Sequence, residues 1–129
     1  MITGIGVDVL RYERIKEEIL DPDDAFVRRI FTAKEVEDAS EREDRQQYFT
    51  GLYAAKEAVF KALRLQADEV DFSEIEVTRN AYGAPEVSFL GQMRRYADEN
   101  GIQMNLSLSY ESDLVTAFAV CERQLPGLM

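Results

Sequence analysis

The chain has 129 residues, 46% hydrophobic and 31% charged, which is the composition of an ordinary globular domain with no apolar run long enough to span a membrane. Its net charge of −10 argues against bulk nucleic-acid binding, and the absence of histidine excludes Ser-His-Asp and Cys-His catalysis and histidine-based zinc sites. The single cysteine, Cys121, lies in an apolar run and cannot form an internal disulfide. A buried thiol in a cytoplasmic protein without a signal peptide is the simplest interpretation.

The first predicted element is a strand from residue 2 to residue 9. It has one apolar face and one face of glycines ending in a carboxylate. Glycines beside a carboxylate leave room for another group to approach the backbone. The two faces carry Ile5, Val7 and Val9 on one side, and Gly4, Gly6 and Asp8 on the other.

Helices are predicted next. The first covers residues 12–20 and a short helix or turn covers residues 25–31. Thr32-Ala-Lys-Glu35 has the pattern of a capping box and opens another helix. Residues 45–65 form a long predicted helix with an apolar stripe of Leu52, Ala55, Val59 and Leu63, flanked by Phe49, Tyr53 and Phe60.

The second half is rich in predicted strands. Residues 75–78 and 86–90 form a hairpin around the turn Asn80-Ala-Tyr-Gly83, and residues 91–100 form a short amphipathic helix. Strands at residues 104–110 and 114–122 follow. An N-terminal strand, helices and then a small antiparallel sheet predict a single α+β domain over residues 1–129.

The long helix carries the residues of chemical interest. Glu57 and Lys61 are four residues apart and share a helix face, which on spacing alone is most often a surface ion pair. An aspartate after a strand, such as Asp8, is often a turn or helix cap. Two carboxylates on rigid elements with a lysine beside one of them are also what a Mg²⁺–phosphate site requires.

Several blocks of the chain resemble the holo-acyl-carrier-protein synthase family, the small bacterial type of 4′-phosphopantetheinyl transferase. They occur in the family's order and spacing over nearly the whole chain, and the combination of Asp8 with the KExxxK motif is the specific part. The blocks are Gly4-Ile-Gly-Val-Asp8, Tyr12-Glu-Arg-Ile15, Arg29-Ile-Phe-Thr-Ala-Lys-Glu35, Ala54-Ala-Lys-Glu-Ala-Val-Phe-Lys-Ala62, Phe72-Ser-Glu-Ile-Glu-Val77, Gly83-Ala-Pro85 and Leu106-Ser-Leu-Ser109.

The resemblance implies Mg²⁺-dependent transfer of 4′-phosphopantetheine from coenzyme A to a serine of an apo acyl carrier protein, with release of adenosine 3′,5′-bisphosphate. By this analogy Asp8 and Glu57 hold Mg²⁺, Glu57 or a metal-bound water takes the serine proton, and Lys61 stabilises phosphate charge. The residues expected to contact coenzyme A are Lys56, Arg45, Gly83, Pro85, Ser107, Ser109 and Tyr110.

The family's carrier protein is acidic, and residues 1–64 contain 11 of the 15 Lys and Arg residues. The arginines expected to meet the carrier are therefore in this half, although scattered solvated arginines are the ordinary alternative. The resemblance also implies a homotrimer with sites between protomers. The four expected carrier contacts are Arg11, Arg14, Arg28 and Arg29.

The chain departs from the family at three points. Tyr110 stands where the family's strand usually ends in histidine, and Gly51-Leu-Tyr53 replaces Gly-Arg-Phe. Arg64-Leu-Gln66 replaces a Gly-Thr-Gly turn, and the ordinary expectation for Arg64 is a solvated side chain. These changes affect the half of the site that contacts the nucleotide. They motivate one alternative, a non-catalytic module on the same fold that binds coenzyme A or a carrier protein.

Overall fold

The computed structural model describes residues 1–16 and 21–124. These residues form an α+β domain, as predicted, with no helix long and apolar enough to cross a bilayer in the described part. Helices and strands alternate with short turns of 3₁₀ helix. In chain order the elements are β1 (Ile2–Arg11), α1 (Ala25–Ile30), α2 (Ala33–Ser40), α3 (Arg45–Leu63), β2 (Ile75–Arg79), β3 (Pro85–Phe89), α4 (Gly91–Glu99), β4 (Ile102–Glu111) and β5 (Leu114–Arg123).

The strands form two antiparallel sheets. The N-terminal strand pairs with the C-terminal one, so the larger sheet has the order β1-β5-β4, while β2 and β3 form a separate hairpin. The small sheet predicted from the second half of the sequence therefore includes the first strand. In this register Val7 lies opposite Phe118, and Asp8 lies opposite Ala117.

Helix α3 packs directly on β1 because the glycines of that strand allow it. A Cβ atom on Gly4 would overlap the carbonyl oxygen of Ala62, and one on Gly6 would overlap that of Ala58. The predicted division of β1 into two faces is confirmed, with the glycines buried. The group that approaches the glycine backbone is thus the helix itself, which brings the helix residue Glu57 toward the strand residue Asp8.

The outer face of the larger sheet is apolar and exposed. Ile5, Val7 and Val9 are 58%, 49% and 57% exposed, and Phe118 on the central strand is 44% exposed. The same face carries Ser107 and Ser109 of β4, because Ser107 pairs with Phe118 and alternate residues share a face. These apolar side chains are neighbours and form one patch, unlike the single scattered hydrophobic residues that are normal on a protein surface.

Two local predictions are confirmed by their hydrogen bonds. Thr32 Oγ1 accepts a hydrogen bond from Glu35 N at 3.2 Å, and Glu35 Oε1 accepts one from Thr32 N at 2.9 Å, which completes the capping box of α2. Asn80 Oδ1 accepts hydrogen bonds from Tyr82 N and Ala84 N, which closes the turn between β2 and β3. Cys121 is buried, also as predicted.

The helix predicted over residues 12–20 is wrong at its start. Tyr12–Arg14 is a single turn of 3₁₀ helix that follows β1 directly, and residues 17–20 lie outside the described residues. The backbone N–H of Tyr12 donates to the carbonyl of Asp113 at 2.9 Å, so it continues the pairing of β1 with β5. The turn does not continue as a helix, because Ile15 is extended and Gln46 Nε2 donates to the carbonyls of Tyr12 and Ile15.

Candidate active site

Asp8 and Glu57 line one open cleft of about 570 Å³. Asp8 comes from β1 and Glu57 from the fourth turn of α3, and the close packing of these elements across Gly6 places both carboxylates together. The remaining lining residues are Val9, Leu10, Arg11, Arg14, Tyr53 and Leu114. We call this space the carboxylate cleft.

The carboxylate cleft holds like charges close together. The pKa of Glu57 is raised, first by burial and second by the negative charge of Asp8, while the charge of Lys61 and the nearby Tyr53 hydroxyl oppose the shift. Lys61 Nζ donates to the carbonyl of Val7 at 2.9 Å and lies 3.5 Å from Asp8 Oδ1. Arg11 and Arg14 line the same cleft, so the two carboxylates repel each other within a ring of basic side chains.

The two adjacent carboxylates are a donor set that fits a hard divalent cation. In residues 1–16 and 21–124 no cluster of three or more Asp, Glu, His or Cys side chains could enclose a metal ion. Two carboxylates without further protein ligands suit Mg²⁺, which keeps several waters and binds substrate phosphate oxygens. They do not suit a closed structural site of the zinc type.

Lys56 requires a correction. Its ammonium is fully buried and forms an ion pair with the fully buried Glu35 at 2.8 Å. It also donates to the carbonyl oxygens of Phe72, at 2.8 Å, and Ile75. With its three donors used inside the protein, Lys56 cannot contact coenzyme A, and it joins α3 to α2 and β2 instead.

A second cleft, of about 480 Å³, contains two of the residues expected to contact coenzyme A, Gly83 and Tyr110. We call it the arginine cleft, because Arg42 and Arg79 also line it. Arg79 donates to Tyr110 Oη and to the carbonyl of Gly83, each at 3.0 Å. Arg42 pairs with Asp44 at 2.9 Å and lies 4.5 Å from the Tyr48 ring centre.

Sequence reasoning missed both arginines of this cleft. The sequence did contain an indication that Arg79 points inward. It lies on the same face of its strand as the buried Ile75 and Val77, because alternate residues share a face. The tyrosine expected in place of histidine is 40% exposed and covers Gly51, where a Cβ atom would meet its hydroxyl. Tyr110 thereby accounts for the glycine in Gly51-Leu-Tyr53, and Leu52 is buried in the core.

The other expected coenzyme A contacts lie near these features or on the outer sheet face. Pro85 begins β3 opposite Arg79, and Arg45 begins α3. Ser107 and Ser109 lie on the exposed face of β4. One protomer therefore does not gather all of these residues into a single cleft.

The four arginines expected to meet a carrier protein separate into two pairs. Arg11 and Arg14 line the carboxylate cleft, and Arg11 is paired with Asp113 at 2.6 Å. Arg28 and Arg29 line a further cleft with Phe72, and Arg28 is paired with Asp23 at 2.9 Å. The rings of Tyr53 and Phe72 lie 6.1 Å apart and connect the two clefts.

Arg64 ends helix α3 in the left-handed conformation, with φ 60° and ψ 32°. Glycine is the usual residue at such a helix end because its backbone adopts positive φ without steric cost. The chain keeps the backbone shape of a glycine turn after the helix while carrying an exposed arginine.

Comparison with known proteins assigns this arrangement to a family. The sequence model of the 4′-phosphopantetheinyl transferase superfamily matches residues 4–119, so the chain belongs to this class of transferases. Within it, the chain is a member of the holo-[acyl-carrier-protein] synthases. It is 38% identical to the holo-[acyl-carrier-protein] synthase of Clostridium kluyveri over 95% of this chain and 91% of that protein.

Solved structures agree with this assignment. The holo-[acyl-carrier-protein] synthase of Neisseria meningitidis superposes with a TM-score of 0.83 at 34% identity, over 95% of this chain and 99% of that one. The synthase of Bacillus anthracis, solved in complex with CoA (3′,5′-ADP), has a TM-score of 0.77 and 31% identity over 96% and 99% of the two chains. The α+β fold is that of the family.

Proposed function

We propose that this chain is a single-domain enzyme, over residues 1–129, that transfers 4′-phosphopantetheine from coenzyme A to a serine hydroxyl of an apo acyl carrier protein. The reaction depends on Mg²⁺ and releases adenosine 3′,5′-bisphosphate. The observation that carries the proposal is the carboxylate cleft, in which Asp8 and Glu57 converge, with the Lys61 ammonium beside Asp8. The buried Cys121 thiol suits a reducing compartment such as the cytoplasm.

In the proposed reaction the serine oxygen forms a bond to the phosphorus of the 4′-phosphopantetheine group. The bond from that phosphorus to the oxygen of adenosine 3′,5′-bisphosphate breaks. Mg²⁺ bound by Asp8 and Glu57 would neutralise charge on the pyrophosphate. Lys61 places an ammonium beside Asp8, where it would also neutralise negative charge on the pyrophosphate. Glu57 or a water bound to the cation would accept the serine proton.

The arginine cleft is proposed to contact the nucleotide of coenzyme A. Gly83 and Tyr110 retain the roles expected from the family resemblance, and Arg79 adds a guanidinium that the sequence did not reveal. A guanidinium is a strong partner for phosphate oxygens because its donors form a fixed fork. Arg45, Pro85, Ser107 and Ser109 remain proposed contacts, and Lys56 is excluded from them.

The carrier protein is proposed to approach along Arg11, Arg14, Arg28 and Arg29. The mouth of the carboxylate cleft contains the first two, and the adjoining cleft contains the other two. A local basic surface can attract an acidic partner even though the chain carries a net charge of −10, because salt limits the reach of each charge to about 10 Å.

A homotrimer is proposed to cover the outer face of the larger sheet. Ile5, Val7, Val9 and Phe118 expose apolar surface there, and the serines expected to contact coenzyme A share the face. Phe118→Lys should give a monomer, measured by light scattering after size exclusion. The monomer should have lost transfer activity, measured by the pantetheine transfer assay. Tyr82→Lys, at a site 96% exposed, is the control. A wild-type protein that is active as a monomer would contradict the proposal.

The proposed activity is tested by transfer of labelled pantetheine from coenzyme A to an apo acyl carrier protein with millimolar Mg²⁺. Asp8→Asn and Glu57→Gln should each remove most of the transfer. Asp98→Asn changes an exposed aspartate that forms only a loose ion pair with Arg94, at 3.9 Å, and should leave the transfer rate unchanged. No transfer to several carriers, alongside a working control enzyme, would refute the activity.

The second candidate function is a binding module without turnover. The replacement of the family's histidine and arginine by Tyr110 and Leu52 favours it. This candidate predicts that coenzyme A binds with no transfer, and that Asp8→Asn and Glu57→Gln bind it as tightly as the wild type. Calorimetry with coenzyme A, in the presence and absence of Mg²⁺, distinguishes the two candidates.

A further inference from the structure

Tyr53 has a hydroxyl that the packing of its ring does not require. It lies one helical turn before Glu57 on α3, so the two side chains share a face of the helix. Both line the carboxylate cleft, and the two groups are close enough that the Glu57 carboxylate raises the pKa of Tyr53 and the Tyr53 hydroxyl opposes the rise in the pKa of Glu57. In the sequence Tyr53 lies only at the margin of a predicted apolar stripe.

The ring of Tyr53 is held from two sides by other aromatic rings. It stacks on Phe26 at 6.1 Å with an angle of 26°, and it meets Phe72 edge-on at 6.1 Å with an angle of 67°. These contacts fix the direction of the hydroxyl before any ligand arrives. A phenylalanine would make the same ring contacts, so the hydroxyl must be explained by its own partner.

That partner is an expected metal ligand. A tyrosine hydroxyl can only donate to an ionised carboxylate, so a hydrogen bond from Tyr53 would occupy one lone-pair direction of Glu57 and leave the others available. Such a bond would also limit rotation of the Glu57 side chain, which the charge of Asp8 repels. Outer partners of this kind commonly change metal affinity by about 10- to 100-fold when they are removed.

We propose that Tyr53 is a positioning residue that orients the Glu57 carboxylate toward Asp8 and thereby raises the affinity of the carboxylate cleft for a divalent cation. The inference rests on the part of the proposed function that assigns a cation to this cleft. It adds a residue on the wall of the cleft that sets how tightly the cation is held.

The test is cation binding by Tyr53→Phe in the absence of substrates. Mn²⁺ is titrated into the full-length protein and free Mn²⁺ is followed by electron paramagnetic resonance, with Mg²⁺ as competitor. We expect affinity to fall about 10-fold, with a thermal midpoint unchanged within about 2 °C because the ring contacts remain. Tyr96→Phe is the matched control, since its hydroxyl accepts a hydrogen bond from Arg123 at 3.2 Å outside the cleft.

A double-mutant cycle separates positioning from a general effect of losing a hydroxyl. Adding Tyr53→Phe to Glu57→Gln should change Mn²⁺ affinity little, because the partner carboxylate is already gone. Equal Mn²⁺ affinity of Tyr53→Phe and wild type would overturn the inference, as would the same loss in the Glu57→Gln background.

The inference and the proposed function fail in different ways. A wild-type protein that transfers pantetheine while Tyr53→Phe binds Mn²⁺ normally keeps the function and loses the inference. A protein in which Tyr53→Phe weakens Mn²⁺ binding, but which transfers nothing to any carrier, keeps the inference and loses the function. A wild-type protein that binds no Mn²⁺ and transfers nothing loses both.

Discussion

Lys56 and Glu57 are neighbours on helix α3, yet they belong to two opposite kinds of charged site. Lys56 and its partner Glu35 are both completely buried, and their polar atoms are matched by backbone groups. Glu57 faces an open cleft with a second carboxylate, the half-exposed Lys61 and two arginines. The buried pair is satisfied inside the protein and stabilises the fold, whereas the charges around the open cleft remain accessible to a ligand.

The pKa shifts express the same difference. Burial raises the pKa of Glu35 and lowers that of Lys56, and each partner's charge opposes the shift of the other. For Glu57 the charge of Asp8 adds to the effect of burial. Burial is the largest cause at all three groups, so the sites differ in the next largest one: the partner charge opposes the effect of burial in the pair and adds to it at Glu57.

The largest effect is expected from breaking the buried pair. Lys56→Met should lower the free energy of unfolding by about 3–5 kcal/mol, because it leaves the Glu35 carboxylate buried without its counter-charge. Denaturant unfolding measures the loss. Lys34→Met is the control, since it removes an exposed lysine that pairs with Asp38 at 3.1 Å and should cost less than about 1 kcal/mol. Equal losses in the two variants would contradict the structural role of Lys56.

A smaller loss is expected from separating β1 and α3. Gly6→Ala should cost about 1–3 kcal/mol, because the new methyl group meets the carbonyl oxygen of Ala58 and two backbones must move apart. It should also reduce Mg²⁺-dependent transfer, since Asp8 and Glu57 lie on the separated elements. In Gly51→Ala the methyl group meets only the end of the Tyr110 side chain, which can move, so stability should change less. Denaturant unfolding of both variants is the measurement.

Replacing Lys61 is expected to reduce activity without changing the stability of the fold. Lys61→Gln should reduce transfer about 10- to 100-fold, equivalent to about 1.4–2.7 kcal/mol, because phosphate charge loses its ammonium partner. The free energy of unfolding should stay within about 0.5 kcal/mol of wild type, as for most exposed positions. Steady-state kinetics and unfolding on the same preparations test it. A stability loss matching that of Lys56→Met would show that both lysines are structural.

Local signals predicted much of this fold. The 3.6-residue periodicity of α3, the capping box at Thr32 and the turn at Asn80 each depend on residues close in sequence, and each appears as expected. The pairing of β1 with β5 and the 3₁₀ turn at Tyr12 depend on contacts across more than a hundred residues. Such contacts leave no local periodic signal, so the helix prediction there failed.

The site shows the same limit for individual side chains. Asp8 stood out because it follows two glycines on one face of a predicted strand. Glu57 stood out because it lies within the KExxxK motif of the long helix. Lys56 was misread, although a helical projection places it between Leu63 and Phe49 at the edge of the apolar stripe. Its partner Glu35 looked like a capping residue, and it is one; its second role depends on α3 packing over α2, which the sequence does not display.

The smallest effect tests the burial of Glu57 and its repulsion by Asp8 directly. In the folded protein the pKa of Glu57 lies above its ordinary 4.5, so folding makes its proton harder to remove. Above the folded pKa the ionised carboxylate opposes folding, and this cost disappears as pH falls below the ordinary glutamate range. Glu57→Gln without metal should therefore raise the thermal midpoint by about 1–3 °C at neutral pH, and the gain should shrink toward acid pH.

Mg²⁺ should make the thermal midpoint of wild type higher than that of Glu57→Gln, the reverse of the order without metal. A cation that binds the folded carboxylates stabilises wild type by mass action, and Glu57→Gln lacks one of the ligands, so its midpoint should respond less. Thermal unfolding with EDTA and with Mg²⁺ gives all four values, and Glu37→Gln, at an exposed position on α2, controls for the loss of one negative charge. If Glu57→Gln were less stable than wild type in EDTA at neutral pH, Glu57 would be a matched charge like Glu35. The contrast between the two sites on α3 would then be wrong.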